Sequence, residues 1–223
     1  MTENKIYAVV TGDIVGSSKL NMNGQLNVSS VIQSAAARIS AQYQSSVHGD
    51  IDIFRGDSWQ MVIIKPESSL RIGLLLRSLL QSTPGFKQLD TRFSIGFGSI
   101  DYLPENNIST GNGEAFRLSG TGLERCKKPI RMCLNFPQGF RSSTTRALNI
   151  IIRLIDLHVQ HWTNKQAEAA SGVLIGLTQR EIANNWVKEP VTQQAISQHL
   201  EGAGWIQIND SLEYFESILP TLF

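Results

Sequence analysis

The stretch Thr11-Gly12-Asp13-Ile14-Val15-Gly16-Ser17-Ser18 follows the first apolar run of the chain, Ile6-Tyr7-Ala8-Val9-Val10. The run is rich in β-branched and aromatic residues, which predicts a buried strand that ends near Asp13. A second acidic residue, Asp57, lies in the turn Arg55-Gly56-Asp57 between two further strand-like segments. Whether the two stretches form one site depends on where the fold places Asp57 relative to Asp13.

The first hundred residues alternate between strand and helix patterns. Apolar residues recur at helical spacing in residues 24–44 and 68–80, whereas residues 50–54, 59–64 and 92–100 have the patterns of strands. Together with the first strand, these segments give the order β-α-β-β-α-β. That order is typical of the ferredoxin-like arrangement, so the sequence predicts an α+β domain.

This topology predicts that the two acidic residues converge. A right-handed crossover leaves the first two strands parallel with a gap between them, and the third strand fills the gap antiparallel to both. Asp13 ends the first strand and Asp57 opens the third. The two carboxylates are therefore predicted at the same edge of adjacent strands.

Two carboxylates beside a loop of glycine and serine predict a metal site that carries phosphates. Asp13 and Asp57 are the predicted ligands of Mg²⁺, or of Mn²⁺, because hard divalent cations prefer oxygen ligands and unpaired carboxylates repel each other. The loop amides and hydroxyls are predicted to hold nucleotide phosphates. These nucleotide-binding residues are Ile14, Val15, Gly16, Ser17, Ser18 and Gly56. The alternative is that Asp13 only fixes the turn.

The sequence predicts that the chain divides into three segments. Residues 1–140 are predicted to form the sheet domain, which also contains a helix at 113–127 and a strand at 130–134. Residues 141–162 form a connecting helix whose apolar residues could contribute to a dimer contact. Residues 163–223 have the pattern of a separate helical module.

The C-terminal module has the pattern of an all-α winged helix-turn-helix. Helices are predicted at 163–174, from Thr178, and at 193–200, and the alternation of residues 205–208 predicts a wing strand. Thr192, Gln193, Gln194, Ser197, Gln198 and His199 are the residues predicted to contact DNA. The charge of this module disfavours DNA binding, because three basic and seven acidic residues give it a net charge of −4. A protein–protein module is the alternative.

Composition predicts a cytoplasmic protein. No apolar run approaches the roughly 20 residues that a membrane span needs, and the N-terminus lacks the pattern of a signal peptide. Cys126 and Cys133 are too few for a disulfide framework, which predicts reduced thiols. The formal net charge of +1 divides into −4 for residues 163–223 and therefore +5 for the rest, where the predicted phosphate site lies.

Several motifs resemble those of class III nucleotidyl cyclases. Asp13-Ile14-Val15-Gly16 is similar to their Asp-Ile-x-Gly segment, and Arg55-Gly56-Asp57 stands where they place a second metal-binding aspartate. Residues 94–98 and 113–116 resemble a glycine-containing strand and a helix start of the same enzymes. This likeness covers about residues 5–135 and implies a cyclase-like palm domain that works as a homodimer. The whole chain resembles the SatD family of bacterial proteins, which join such a domain to a helix-turn-helix.

The resemblance to the cyclases is incomplete at the catalytic positions. Alignment on Gly113 places Arg117 and Thr121 where those enzymes have an asparagine and a phosphate-stabilising arginine. Loss of that arginine makes fast cyclisation unexpected, since such a residue contributes ~10³-fold or more to phosphoryl transfer. The first hypothesis is therefore a nucleotide- and Mg²⁺-binding regulator that reports to DNA or a protein partner. The alternatives are an active cyclase or related phosphoryl-transfer enzyme in which Arg117 is catalytic, and a protein that only mediates interactions.

Overall fold

A computed structural model describes residues 5–17, 22–86, 89–140 and 142–223, with residues 22–27 described by their backbone alone. One sheet contains the strands β1 (Tyr7–Ile14), β2 (Val47–Phe54), β3 (Ser58–Ile63), β4 (Thr91–Gly98) and β5 (Met132–Asn135). The helices are α1 (Met22–Gln42), α2 (Ser69–Gln81), α3 (Glu114–Arg125), α4 (Ser143–Val159), α5 (Asn164–Leu174), α6 (Gln179–Asn184), α7 (Gln193–Gly202) and α8 (Trp205–Ile218).

The strand order is β2-β3-β1-β4-β5. Strand β1 is antiparallel to both β3 and β4, and β5 runs parallel to β4. The third strand thus lies between the first and the second, which confirms the predicted ferredoxin-like βαββαβ arrangement.

Helices cover both faces of this sheet. Ala8 and Val10 of β1 belong to the large core beneath α1 and α2, whereas Val9 contacts the opposite cluster, which includes Ala115 of α3. A side chain at Gly96 would place its Cβ 2.3 Å from the Ser119 amide nitrogen, so the glycine lets α3 lie directly on β4. The five-stranded sheet is therefore buried on both faces near its centre.

The predicted wing strand at residues 205–208 is wrong, because these residues form the first turn of α8. Gly204, with φ of 66°, separates α8 from α7. A strand would place Ile206 and Ile208 on one face, whereas Ile206 is 69% exposed and Ile208 only 2%. Ile208, Leu212 and Phe215 follow helical spacing and are buried. The helices at 163–174, 179–184 and 193–202 agree with the prediction, but the predicted wing is absent from residues 205–208.

The C-terminal helices share the core of the sheet. Phe215 of α8 lies 6.3 Å from Phe97 of β4 between ring centroids. Arg71 of α2 donates to Glu216 of α8 through Nε and Nη2, at 2.5 and 3.0 Å. Packing is thus continuous across residue 163, and the predicted boundaries at 140 and 162 stay a prediction.

Cys126 and Cys133 form a disulfide, which contradicts the predicted reduced thiols. Cys126 directly follows α3 and Cys133 lies in β5, and the short connection between these elements brings the two Cα atoms to 6.3 Å. Spacing along the sequence did not reveal this approach, because it depends on how α3 and β5 pack.

Within the described ranges, none of the helices combines the length and the apolar character that crossing a bilayer requires.

Candidate functional site

The fold brings the backbones of Asp13 and Asp57 together. Asp13 pairs with Ser58 on β3 and with Arg92 on β4. The amide of Ile14 donates to the carbonyl of Asp57 at 3.1 Å. The two strand ends therefore meet at one edge of the sheet, as the topology predicts.

The two carboxylates have different partners. Nε and Nη2 of Arg92 donate to Oδ1 and Oδ2 of Asp13 at 2.6 and 2.7 Å. The hydrogen bond to Asp13 raises the pKa of Arg92 above its ordinary value. Asp57 accepts instead from the hydroxyl of Ser17 at 2.5 Å and from that of Ser58 at 3.3 Å. The repulsion expected between two acidic groups is thus relieved by Arg92 and by hydroxyl donors.

In this arrangement the pair does not fit a metal ion. Both oxygens of Asp13 already accept from Arg92, so a cation would have to displace the guanidinium. Over residues 5–17, 22–86, 89–140 and 142–223, no group of three or more His, Cys, Asp or Glu side chains is placed to hold a metal. Metal binding by Asp13 and Asp57 stays a prediction.

The loop after β1 uses some of its amides within the protein. Val15 donates to the carbonyl of Asp90 at 2.9 Å, and the Ile14 side chain is buried. Gly16 and Gly56 have φ of 79° and 80°, a conformation that strains other residues, and both face open space. Ser18 lies outside the described residues. Within the part of the loop that the structure describes, phosphate contact would therefore involve Gly16 and Ser17.

A pocket of about 270 Å³ lies beside this loop. Its lining consists of residues 13–17, Ile130 and three basic side chains, those of Arg92, Lys128 and Arg131. Asp57 is not part of this lining, but its carboxylate accepts from Ser17 and its carbonyl from the amide of Ile14, both of which line the pocket. The sequence analysis missed all three cations. For Arg92 a signal existed, because a β1–β4 antiparallel pair places the start of β4 opposite the end of β1.

A buried network of charges holds one of these cations. Arg131 forms an ion pair with Asp90 through Nη1. Asp90 also accepts from Nε and Nη2 of Arg77 at 2.7 and 2.9 Å, and Arg77 donates through Nη1 to Asp156 of α4 at 2.7 Å. Burial opposes the charge of Arg77, but the nearby Asp90 and Asp156 outweigh it and raise its pKa. The network ties the pocket to α2 and α4.

Arg117, the predicted catalytic residue, is not at this pocket. It lies near the start of α3 and approaches Asp101 at 3.8 Å, and both side chains are exposed. The other end of α3 meets the pocket, because Arg92 donates to the carbonyl of Cys126 at 2.8 Å. About nine helical residues, or ~13 Å of helix, separate the two points. A catalytic role for Arg117 stays a prediction.

The residues predicted to contact DNA have mixed environments. Thr192, Gln193, Gln194, Ser197 and Gln198 are exposed on or beside α7. His199 is half-buried and stacks on Trp186, with ring centroids 5.6 Å apart. Burial, and secondarily the charge of Lys165, lower the pKa of His199. DNA contact stays a prediction.

Comparisons with known proteins give little to assign a function. No protein-family model and no curated protein matches the chain. The guanylyl cyclase Cya2 is similar over 54% of this chain and 70% of that one, at 15% identity and a TM-score of 0.42. The active GGEEF domain of a diguanylate cyclase from Vibrio cholerae is similar over 62% and 85%, at 14% identity and a TM-score of 0.41. Scores this low assign no activity to the chain.

Proposed function

We propose that the pocket beside Asp13 binds the phosphate groups of a nucleotide, and that the protein is a nucleotide-binding regulator. The observation that supports this proposal is the presence of Arg92, Lys128 and Arg131 around the loop at residues 13–17. The lining contains these three cations and one carboxylate, Asp13, which is a formal charge of +2, and Arg131 also pairs with Asp90 behind the pocket. Such a surplus attracts a polyanionic ligand.

The chemistry of the side chains suits phosphate. Guanidinium groups present planar forks of donors that match phosphate oxygens, and lysine adds a mobile point charge. Lys128 is exposed, so its ammonium can follow a ligand without breaking internal contacts. At about 270 Å³ the pocket is small for a whole nucleotide. The phosphates would therefore lie inside and the sugar and base outside.

In this proposal Mg²⁺ or Mn²⁺ would bind only together with the nucleotide. Asp13 and Asp57 would hold the ion if phosphate oxygens drew Arg92 away from Asp13, since a guanidinium binds carboxylate and phosphate in the same manner. Binding without any divalent ion is the simpler expectation, because arginine and lysine already supply the positive charge. The effect of Mg²⁺ on affinity separates the two cases.

A binding role is favoured over catalysis. Arg117, which the cyclase alternative requires near the phosphates, pairs with Asp101 near the start of α3. The pocket instead connects to the helical layer, because Arg131 contacts Asp90, Asp90 contacts Arg77, and Arg77 contacts Asp156 of α4. A ligand that competes for Arg131 would alter a chain of buried ion pairs that ends in α4.

Calorimetric titration with nucleoside mono-, di- and triphosphates and with pyrophosphate, each with Mg²⁺ and with EDTA, tests the proposal. Lys128→Glu should weaken binding at least tenfold, because hydrogen bonds to charged groups contribute about 1.5–3 kcal/mol. The matched control is Lys127→Glu, an equal charge change at the exposed neighbouring residue, which does not line the pocket.

If the Lys128 and Lys127 variants lost the same affinity, binding would depend on the net charge of the protein and not on this pocket. Absence of binding by every phosphate compound would reject the proposal. A cyclic or cleaved product after incubation with a nucleoside triphosphate would favour the enzymatic alternative.

A further inference from the structure

The outward face of α4 carries an apolar stripe that the folded chain leaves open. Ile150, Leu154 and Leu157 are 52%, 58% and 56% exposed. Ala147 precedes them by one turn, so the spacing is three, four and three residues, as along the seam of a coiled coil. The opposite side of α4 is buried through Leu148, Ile152, Ile155 and Val159. A stripe of exposed aliphatic residues on a rigid helix is typical of an interface.

Basic residues flank this stripe. Arg146 and Arg153, two helical turns apart, are exposed beside the stripe, and His158 is exposed near the C-terminal end of α4. The acidic residue of α4, Asp156, is buried with Arg77 and does not offset them. The α4 stripe therefore combines apolar contact with positive charge. Two such stripes facing each other would repel, so an identical α4 is a poor partner.

Helix α8 presents the complementary surface. Its outward face, here called the α8 face, contains Ile206, Asp210, Glu213, Tyr214 and Ser217, all exposed. Ile206 is 69% and Tyr214 45% exposed. Residues 205–223 contain no Lys, Arg or His, and of their three acidic residues Glu216 pairs with Arg71, which leaves Asp210 and Glu213. The α8 face thus offers apolar contact flanked by negative charge.

Both faces belong to the same layer of the molecule. The buried residues of α4 and α8, such as Ile155 and Leu212, join one core against the sheet. Each outward face therefore lies on the side of its helix opposite this shared core. Helix lengths also match, since 17 and 14 residues correspond to ~26 and ~21 Å.

We propose that two copies of this chain associate through these surfaces, with the α4 stripe of each copy on the α8 face of the other. A two-fold axis makes both contacts at once and closes the assembly as a dimer, because each surface meets its complement on the partner. Every copy then covers its exposed isoleucine, leucine and tyrosine side chains. Opposite charges border both contacts.

Sedimentation equilibrium of the full chain tests this inference. Leu154→Glu and Tyr214→Glu should each weaken dimerisation at least tenfold. Each substitution places a glutamate in both of the symmetry-related contacts, where it would be buried. Val187→Glu and Tyr102→Glu are matched controls, since both residues are 59% exposed but lie outside the two surfaces. Circular dichroism melts verify that each variant folds.

Charge reversal gives a sharper test. Arg146→Glu/Arg153→Glu and Asp210→Lys/Glu213→Lys should each be monomeric, whereas their equimolar mixture should form a heterodimer in which both contacts are complementary. A wild-type chain that stays monomeric at every concentration would overturn the inference. The inference would also be wrong if Leu154→Glu lost the dimer, Tyr214→Glu kept it and the mixed charge-reversal variants formed no heterodimer. In that case α4 would contact a surface other than α8.

Discussion

Arg92 and Asp13 form a two-pronged ion pair between adjacent strands, with Nε 2.6 Å from Oδ1 and Nη2 2.7 Å from Oδ2. Both side chains are partly exposed at the edge of the pocket, at 33% and 21%. A metal ion would require the carboxylate of this pair, whereas a phosphate group would require the guanidinium. Substitutions in this pair therefore distinguish metal binding, which needs Asp13, from phosphate binding, which needs Arg92.

Asp13→Asn should strengthen the binding of pyrophosphate in EDTA by a few-fold or more. Among the described lining residues Asp13 is the one carboxylate, so the substitution removes a negative charge from the pocket and frees the donors of Arg92. Calorimetric titration measures the change. Asp101→Asn is the control, because Asp101 pairs with the exposed Arg117 at the other end of α3. If Asp13→Asn abolished a binding that depends on Mg²⁺, the metal prediction would be correct.

Arg77→Met should destabilise the fold by about 3–5 kcal/mol, because it leaves the buried carboxylate of Asp156 without its cationic partner and leaves Asp90 with Arg131 alone. Arg77 is fully buried and contacts both Asp90 and Asp156. Equilibrium unfolding in urea measures the loss. Arg71→Met, at the partly exposed pair with Glu216, should cost only about 0–1 kcal/mol. Similar losses in the two variants would mean that burial of the network contributes little.

The sequence predicted the sheet better than it predicted the site. The order of patterns in residues 5–100 was enough for the ferredoxin-like arrangement and for the meeting of Asp13 with the turn at Asp57. The partner of Asp13 was missed because it depends on register between β1 and β4. Arg77 was missed for another reason, since helical periodicity places it within an apolar segment but cannot show the two carboxylates that reach it from other elements.

Ile208→Asp should unfold the protein or destabilise it by several kcal/mol, whereas Ile206→Asp should leave the stability of the monomer within about 0.5 kcal/mol. The reason is the helical geometry of α8, which buries Ile208 and exposes Ile206. Thermal unfolding at low protein concentration, where no dimer contributes, makes the comparison. Equal sensitivity at both positions would support the strand that the sequence suggested.

That strand prediction failed for a physical reason. Trp205-Ile206-Gln207-Ile208 alternates over only four residues, and a pattern this short also fits one turn of a helix. The longer helical spacing of Ile208, Leu212 and Phe215 becomes clear only when burial is known.

Acidification should destabilise the fold through His199. Burial and Lys165 lower the pKa of His199 below its ordinary value of 6.5. The unfolded chain therefore takes up its proton first, and stability falls as the pH drops below about 6.5 until the folded histidine is also protonated. His199→Phe keeps the stack on Trp186 but removes the titration. Melting temperatures between pH 7 and pH 5 should fall less in this variant, and an unchanged slope would contradict the assignment.

The continuity of the core from β4 to α8 has a consequence for cooperativity. A chain shortened at residue 162 would expose Phe97 and lose Phe215, which share that core. The protein should therefore melt in a single transition, in which the strands beside the pocket and the C-terminal helices unfold together.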